Sequence, residues 1–306
     1  MSLFQRSSRG KRTAHRISKA SRGVTLIELL IALVISSILI AGLYRTFVSQ
    51  QASYATQEQV VDMQQNVRVA INQMIREIRM AGFSGKGDNA PGINDIINVF
   101  KNVNGFTSII TPVDETTVDG ITHDQITVLA AYVVKDGDVL TLDALAKSGD
   151  KTVTLNGSAP FDGDKKKYLC LGGQYLYEVE SAAGNVVTLK DTNPLGEDHL
   201  KGDTVFMVKA ITYGLRMDTD GVTPVLFRNE NTGGGRQPLA ENIENLQFRY
   251  LLADGTETDA PGDPTQIRGV RIMITARTQR SDPQSKEPGG FLRRTINTYV
   301  DVRNLR

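Results

Sequence analysis

From Val24 to Leu43 the chain runs VTLIELLIALVISSILIAGL, twenty residues with a single charge, Glu28. As a helix, a run of this length crosses a hydrocarbon core of about 30 Å. Arg6, Arg9, Lys11, Arg12, Arg16, Lys19 and Arg22 come before it, and residues 1–22 contain no Asp or Glu. A basic block against an apolar run keeps the N-terminus in the cytoplasm and sends the C-terminal body across the membrane. Removing those seven from the 35 basic residues leaves 28 against 34 acidic ones, a formal charge of −6. Two electrostatic regimes meet at Gly23.

Three readings of this run compete. A secretory signal has an apolar region of roughly 7–15 residues and an A-x-A-like site beyond it. Ala41-Gly42-Leu43-Tyr44 offers no such site. A plain anchor explains the length but not the acid, which costs about 2.5–3.5 kcal/mol at a bilayer centre and less near an end. No basic residue stands beside Glu28 on the apolar side. The acid therefore needs a partner from elsewhere.

The segment Arg22-Gly23-Val24-Thr25-Leu26-Ile27-Glu28-Leu29-Leu30 resembles the class III leader junction of type IV prepilins. The resemblance implies that a membrane prepilin peptidase cuts after Gly23 and that Val24 becomes a methylated N-terminus. It also implies that Glu28 pairs with the N-terminal amine of a neighbouring subunit. An acid near a helix N-terminus is favoured by the helix dipole as well. Val24 departs from the family pattern, where phenylalanine is commoner, which bears on the rate of processing or methylation.

No proline occurs before Pro91, so the helix is expected to continue past the membrane. Met63, Val67, Ala70, Ile71, Met74, Ile75 and Ile78 form one apolar stripe, with Asp62, Gln65, Arg68, Asn72, Arg76 and Arg79 opposite. Gly82, Gly85 and Gly87 end it. A helix from Val24 to Met80 would be about 85 Å long. Gly42 is its expected soft point, since the family's kinking proline is absent near Arg45.

Residues 84–124 carry turn signals and short apolar patches such as Ile93–Ile97, and read as loop with one short helix. From Gln125 onward strands dominate: 125–134, 139–142, 152–155, 167–171, 175–180, 186–190, 204–217, 225–228, 243–252, 266–278 and 292–302. Val270, Ile272, Ile274 and Ala276 alternate with Arg271, Met273, Thr275 and Arg277, and Ile296, Thr298, Val300 and Val302 repeat the pattern. Such alternation marks half-buried antiparallel strands. The expected fold is α+β, a long N-terminal helix packed on one antiparallel, β-rich globular domain. Loops are expected at 229–236, 253–265 and 281–290.

The helix end Arg76-Glu77-Ile78-Arg79-Met80-Ala81-Gly82-Phe83 is similar to that of PilW-type minor pilins. So is the later order Ile211-Thr212-Tyr213, Leu226-Phe227-Arg228, Ile243–Tyr250 and Val302-Arg303-Asn304. The resemblance implies a pilin fold and a subunit that helps initiate a type IV pilus, grouped with other minor pilins near its tip.

Other chemistry finds little support. Cys170, the lone cysteine, excludes an intrachain disulfide and reads as buried packing. Beyond the leader only His123 and His199 remain, without a second ligand at zinc spacing. No G-x-S-x-G or P-loop pattern occurs, and Gly82-Phe83-Ser84-Gly85-Lys86 fits neither, so neither an enzyme nor a cofactor is expected. Asp136/Asp138, Asp162/Asp164 and Asp218/Asp220 lack the Glu of a calcium loop and read as turn residues. Lys165-Lys166-Lys167 reads as a solvated hairpin edge, not a nucleic-acid site.

The expected organisation is a cleaved basic leader at 1–23, a transmembrane and assembly helix at 24–43 and its amphipathic continuation at 44–82. A β-rich periplasmic or extracellular domain occupies 83–306. The functional sites are Gly23 and Val24 for processing and Glu28 for assembly, with no catalytic or metal residue. Expected partners are the prepilin peptidase, other minor and major pilins and the inner-membrane assembly platform. The subunit would sit single-pass in the inner membrane, N-terminus inside, before joining a surface pilus used in twitching motility. A J-like pseudopilin of type II secretion, and a tip-displayed module for adhesion or DNA uptake, are the alternatives.

Overall fold

A computed structural model describes residues 23–83, 102–133, 139–282 and 285–305. The leader residues 1–22, the patch at Ile93–Ile97, Gly85, Gly87 and the Asp136/Asp138 pair lie outside these. The chain divides into two compact units, Met1–Ala55 and Thr56–Arg306. One helix, α1 (Leu26–Met80), contributes to both.

In the first unit every described residue, from Gly23 to Ala55, is exposed. In the second, α1 turns amphipathic. Met63, Val67, Ala70, Ile71, Met74 and Ile78 are buried, while Asp62, Gln65, Arg68, Asn72, Arg76 and Arg79 lie outside the buried stripe. The stripe is as the spacing requires, except that Ile75 is half-buried and Glu77 is buried beside Ile78. Each fully buried Ile or Met contributes about 1.5–3 kcal/mol. The helix ends at Gly82, whose φ of 77° suits glycine, and whose N–H donates to Leu129 O at 2.8 Å. The Asn304 side-chain amide donates to the Met80 and Ala81 carbonyls, so the far end of the chain caps the helix.

The expected α+β class is what the second unit shows: a helix on antiparallel sheets. The strands are β1 (Ile110–Val118), β2 (Ile121–Val133), β3 (Leu140–Thr141), β4 (Thr152–Thr154), β5 (Tyr168–Leu171), β6 (Tyr175–Ala183) and β7 (Val186–Leu189). They continue with β8 (Thr204–Met217), β9 (Pro224–Asn229), β10 (Gln237–Glu241), β11 (Ile243–Leu252), β12 (Glu257–Thr258), β13 (Ile267–Arg277) and β14 (Arg293–Asp301). A ten-stranded sheet runs β1-β2-β8-β5-β6-β7-β4, with β3 and the β9-β10 pair joined to β8. A four-stranded sheet runs β12-β11-β13-β14.

Two clusters of buried side chains explain the sequences of β5 and β8. Tyr168 and Cys170 of β5, with Phe206 and Val208 of β8, join the core under α1. Leu169 and Leu171, with Val205 and Met207, join a second core around β3 to β7. Both strands are covered on both faces, so they read as unbroken apolar runs. Burial here pushes the Cys170 thiol up to about 12, as befits a packing residue.

The expected loop at 84–124 is corrected by β1 and by the early start of β2. Asp119 (φ 51°) and Gly120 (φ 80°) form the two-residue turn between them, and an Asp-Gly pair with both φ positive is a hairpin turn. β10 falls outside every expected strand; Pro238 within it is tolerated because, among the described residues, β10 is an edge strand paired with β9. A buried carboxylate joins the two sheets. Asp124 of β2 accepts from the Phe248 N–H of β11 at 2.7 Å and from the Glu115 N–H at 3.2 Å.

Candidate functional site

At the leader junction Thr25 precedes the first helical residue, and Glu28 lies in the first turn. The Thr25 N–H and hydroxyl lie 3.0 and 3.1 Å from Glu28 Oε2, while the Glu28 N–H donates to Thr25 Oγ1 at 3.3 Å. This reciprocal pair is a capping box, which satisfies helix-start donors that have no partner within the helix. The T-x-x-E pattern was present in the sequence as its signal. Thr25 thus supplies local hydrogen bonds to the carboxylate, but not the positive charge that the sequence reading looks for. No cation among the described residues neutralises Glu28.

Gly23 and Val24 lie just before the cap. A Cβ built on Gly23 would meet nothing within 4 Å, so no contact among the described residues requires glycine there. Val24 is 67% exposed. Beyond them α1 is long and apolar enough to cross a membrane. Two of its hydroxyls bond back to the helix itself: Ser37 Oγ donates to Leu33 O and Val34 O, and Thr46 Oγ1 to Gly42 O at 3.0 Å. The helix passes Gly42 without interruption, and a Cβ there too would meet open space.

In the body, three polar groupings come together that local patterns did not reveal. The first joins Glu77 on α1 to Tyr213 on β8 and Arg228 on β9, with Arg228 also 2.8 Å from Glu230. The second is His199, whose Nε2 lies 2.9 Å from the Tyr177 hydroxyl and whose Nδ1 lies 3.5 Å from Asp203. Burial pushes the Tyr177 hydroxyl up to about 12, so this trio lacks an activated nucleophile. Burial also lowers the His199 pKa, though Asp203 opposes it. The third is His123, held by the Ile121 carbonyl at 3.1 Å and lowered by burial.

The acidic pairs that lie among the described residues behave as turn formers. Asp162 Oδ1 accepts from the N–H groups of Asp164, Lys165 and Lys166, and Asp220 Oδ1 from those of Val222 and Thr223. Lys165 and Lys166 are exposed, and Lys167 sits over the Tyr168 ring. Among the described residues no three His, Cys, Asp or Glu side chains converge as metal ligands.

Residues 18–44 match the family described as the prokaryotic N-terminal methylation motif. That bears out a leader junction of the type IV pilin kind, without distinguishing a PilW-like chain from its relatives. No curated protein is significantly similar to the chain. Among solved structures, a type IV-like pilin from Thermus thermophilus aligns over 79% of this chain and 97% of its own, at 10% identity and a TM-score of 0.35. So loose a likeness carries no argument.

Proposed function

We propose that this chain, with its type IV pilin-like leader junction, is a PilW-like minor pilin: a subunit cleaved after Gly23, methylated on Val24 and assembled through α1. The observation that carries the reading is the state of residues 23–55. They are exposed throughout, enter a helix at Leu26 that is aliphatic over its membrane-length first part, and carry a carboxylate that no cation among the described residues neutralises. In the bilayer, lipid covers that surface. In a fibre, the helices of neighbouring subunits replace lipid, and a freshly made N-terminal amine supplies the charge Glu28 lacks. The basic leader would hold the N-terminus in the cytoplasm, with the body in the periplasm until assembly.

Gly23 fits this account because its neighbours inside the chain do not need it. A residue kept small with open space around it suits recognition by a peptidase groove.

The test is Glu28→Ala. Cleavage should be largely retained, read as the mature mass, while the subunit disappears from sheared surface fibres and piliation falls. Normal incorporation of the variant would sink the proposal. A deletion strain distinguishes the pilus from a secretion pseudopilus, since the first loses twitching and the second loses exported enzyme.

A further inference from the structure

β14 is the outer strand of the four-stranded sheet and, among the described residues, is bonded to β13 alone. Every second residue of such an edge presents its N–H and C=O outward, a template for one more strand. The edge is nine residues long, unlike the two-residue β12 that ends the other side of the sheet. Natural edges are usually kept short or covered, so a nine-residue edge with no further strand among the described residues invites a partner.

The space beside this edge is shaped to hold one. A groove of about 530 Å³ lies between β14 and the flank of α1, walled by Arg68, Ile71 and Ile75 on one side and Arg294, Ile296 and Asn297 on the other. A further recess of about 360 Å³ is lined by Arg79, Tyr299, Asp301 and Arg303, two cations to one carboxylate. From residue 64 to 79 the helix advances about 23 Å. From residue 294 to 301 the strand advances about the same distance. The two walls match in length.

The charge of the groove indicates what fits. Arg228, Arg271, Arg277 and Arg293 are all engaged by carboxylates. Arg68, Arg79, Arg294 and Arg303, along the groove, are exposed and in no ion pair among the described residues. We infer that β14 and the flank of α1 form a β-augmentation site for an extended acidic segment of another protein. The segment adds as a strand on β14, points alternate apolar side chains at Ile71, Ile75 and Ile296, and sets carboxylates against the arginines. The inference does not rest on the assembly reading, since it involves neither Glu28 nor the exposed half of α1.

The test uses the mature chain in detergent micelles and a fluorescein-labelled nonapeptide of alternating Val and Glu, followed by anisotropy at low and moderate salt. Saturable binding is expected, weakened by salt. Replacing Glu by Lys in the peptide, or making Arg294→Glu, should each weaken it by about tenfold. Methylating alternate backbone nitrogens of the peptide should abolish it. Arg68→Glu, on an exposed helix face, repeats the charge test without touching the strand. Absence of saturable binding, equal binding of the Lys peptide, or undiminished binding of the N-methylated one would each overturn the assignment. So would a concentration-dependent dimer in sedimentation that Arg294→Glu dissolves, because the occupant would then be a second copy of this chain.

Discussion

Glu77 on α1 and Arg228 on β9 form a largely buried ion pair: Arg228 Nε lies 3.1 and 3.2 Å from the two carboxylate oxygens and Nη2 lies 3.0 Å from Oε1. The Tyr213 hydroxyl donates to the same carboxylate from β8. One side chain on the helix thus ties two neighbouring strands, in the middle of an otherwise apolar interface. Removing one member of such a pair leaves a desolvated charge and costs about 3–5 kcal/mol. Arg228 would keep Glu230 at 2.8 Å, which places Glu77→Ala near the lower end. For a body of this size, each kcal/mol moves the thermal midpoint by about 2–4 °C. A fall of about 10 °C is expected by differential scanning calorimetry in micelles. The double change Glu77→Leu with Arg228→Met should cost less than the two single losses combined. Additive losses would mean that the pair does not act as a unit.

The contrast between Glu77 and its neighbours shows how far the sequence could be read. The apolar stripe of α1 and the alternation of β13 and β14 are local periodicities, and the burial of those residues tracks them. Glu77 carries no such mark: its partners lie 136 and 151 residues away and meet it only once β8 and β9 pair. The hairpin at Asp119-Gly120 was legible from its dipeptide, but the strand before it, with Pro112 and the Asp114-Glu115 pair breaking any alternation of Ile110, Val113 and Val118, does not advertise itself. At the junction, Thr25 and Glu28 stand at capping-box spacing, a signal wholly local to the sequence. The groove beside β14 could not be read at all, because an open edge is a property of the whole sheet.

The capping box makes a prediction separable from assembly. Thr25→Val keeps the side-chain shape but loses the hydroxyl, and with it two of the three bonds to Glu28. Loss of a cap costs about 1 kcal/mol, felt in the first turn alone. Hydrogen exchange should speed at the amides of residues 26–29 while the melting of the body stays unchanged. Piliation should fall less than in Glu28→Ala, since the carboxylate remains to meet an amine. A body destabilised as much as by Glu77→Ala would contradict a purely local role for the threonine.

Gly23 gives the clearest separation between folding and recognition. With nothing within 4 Å of its notional Cβ, Gly23→Leu has no neighbour to displace. The variant should therefore fold and melt as the unchanged protein does. Intact-mass measurement on the membrane fraction should nevertheless find the full-length species in place of the mature one. A mature mass in Gly23→Leu would remove the glycine from the processing site.

The two buried histidines set the pH response of the body. Burial lowers the pKa of both His123 and His199 in the folded chain, and Asp203 only partly opposes this at His199. A group whose folded pKa lies below its unfolded value, about 6.5 for His, stabilises the fold above that value. The contribution is lost as pH falls through the folded pKa, because the unfolded chain then binds more protons. Asp124, raised by burial, acts with the opposite sign, but only near the carboxylate range. The thermal midpoint should thus decline by a few degrees between pH values of about 7.5 and 5. His199→Gln, which can still meet the Tyr177 hydroxyl, should flatten that decline, and adding His123→Gln should flatten it further. A profile equally steep in the double variant would assign the acid sensitivity to groups other than these histidines.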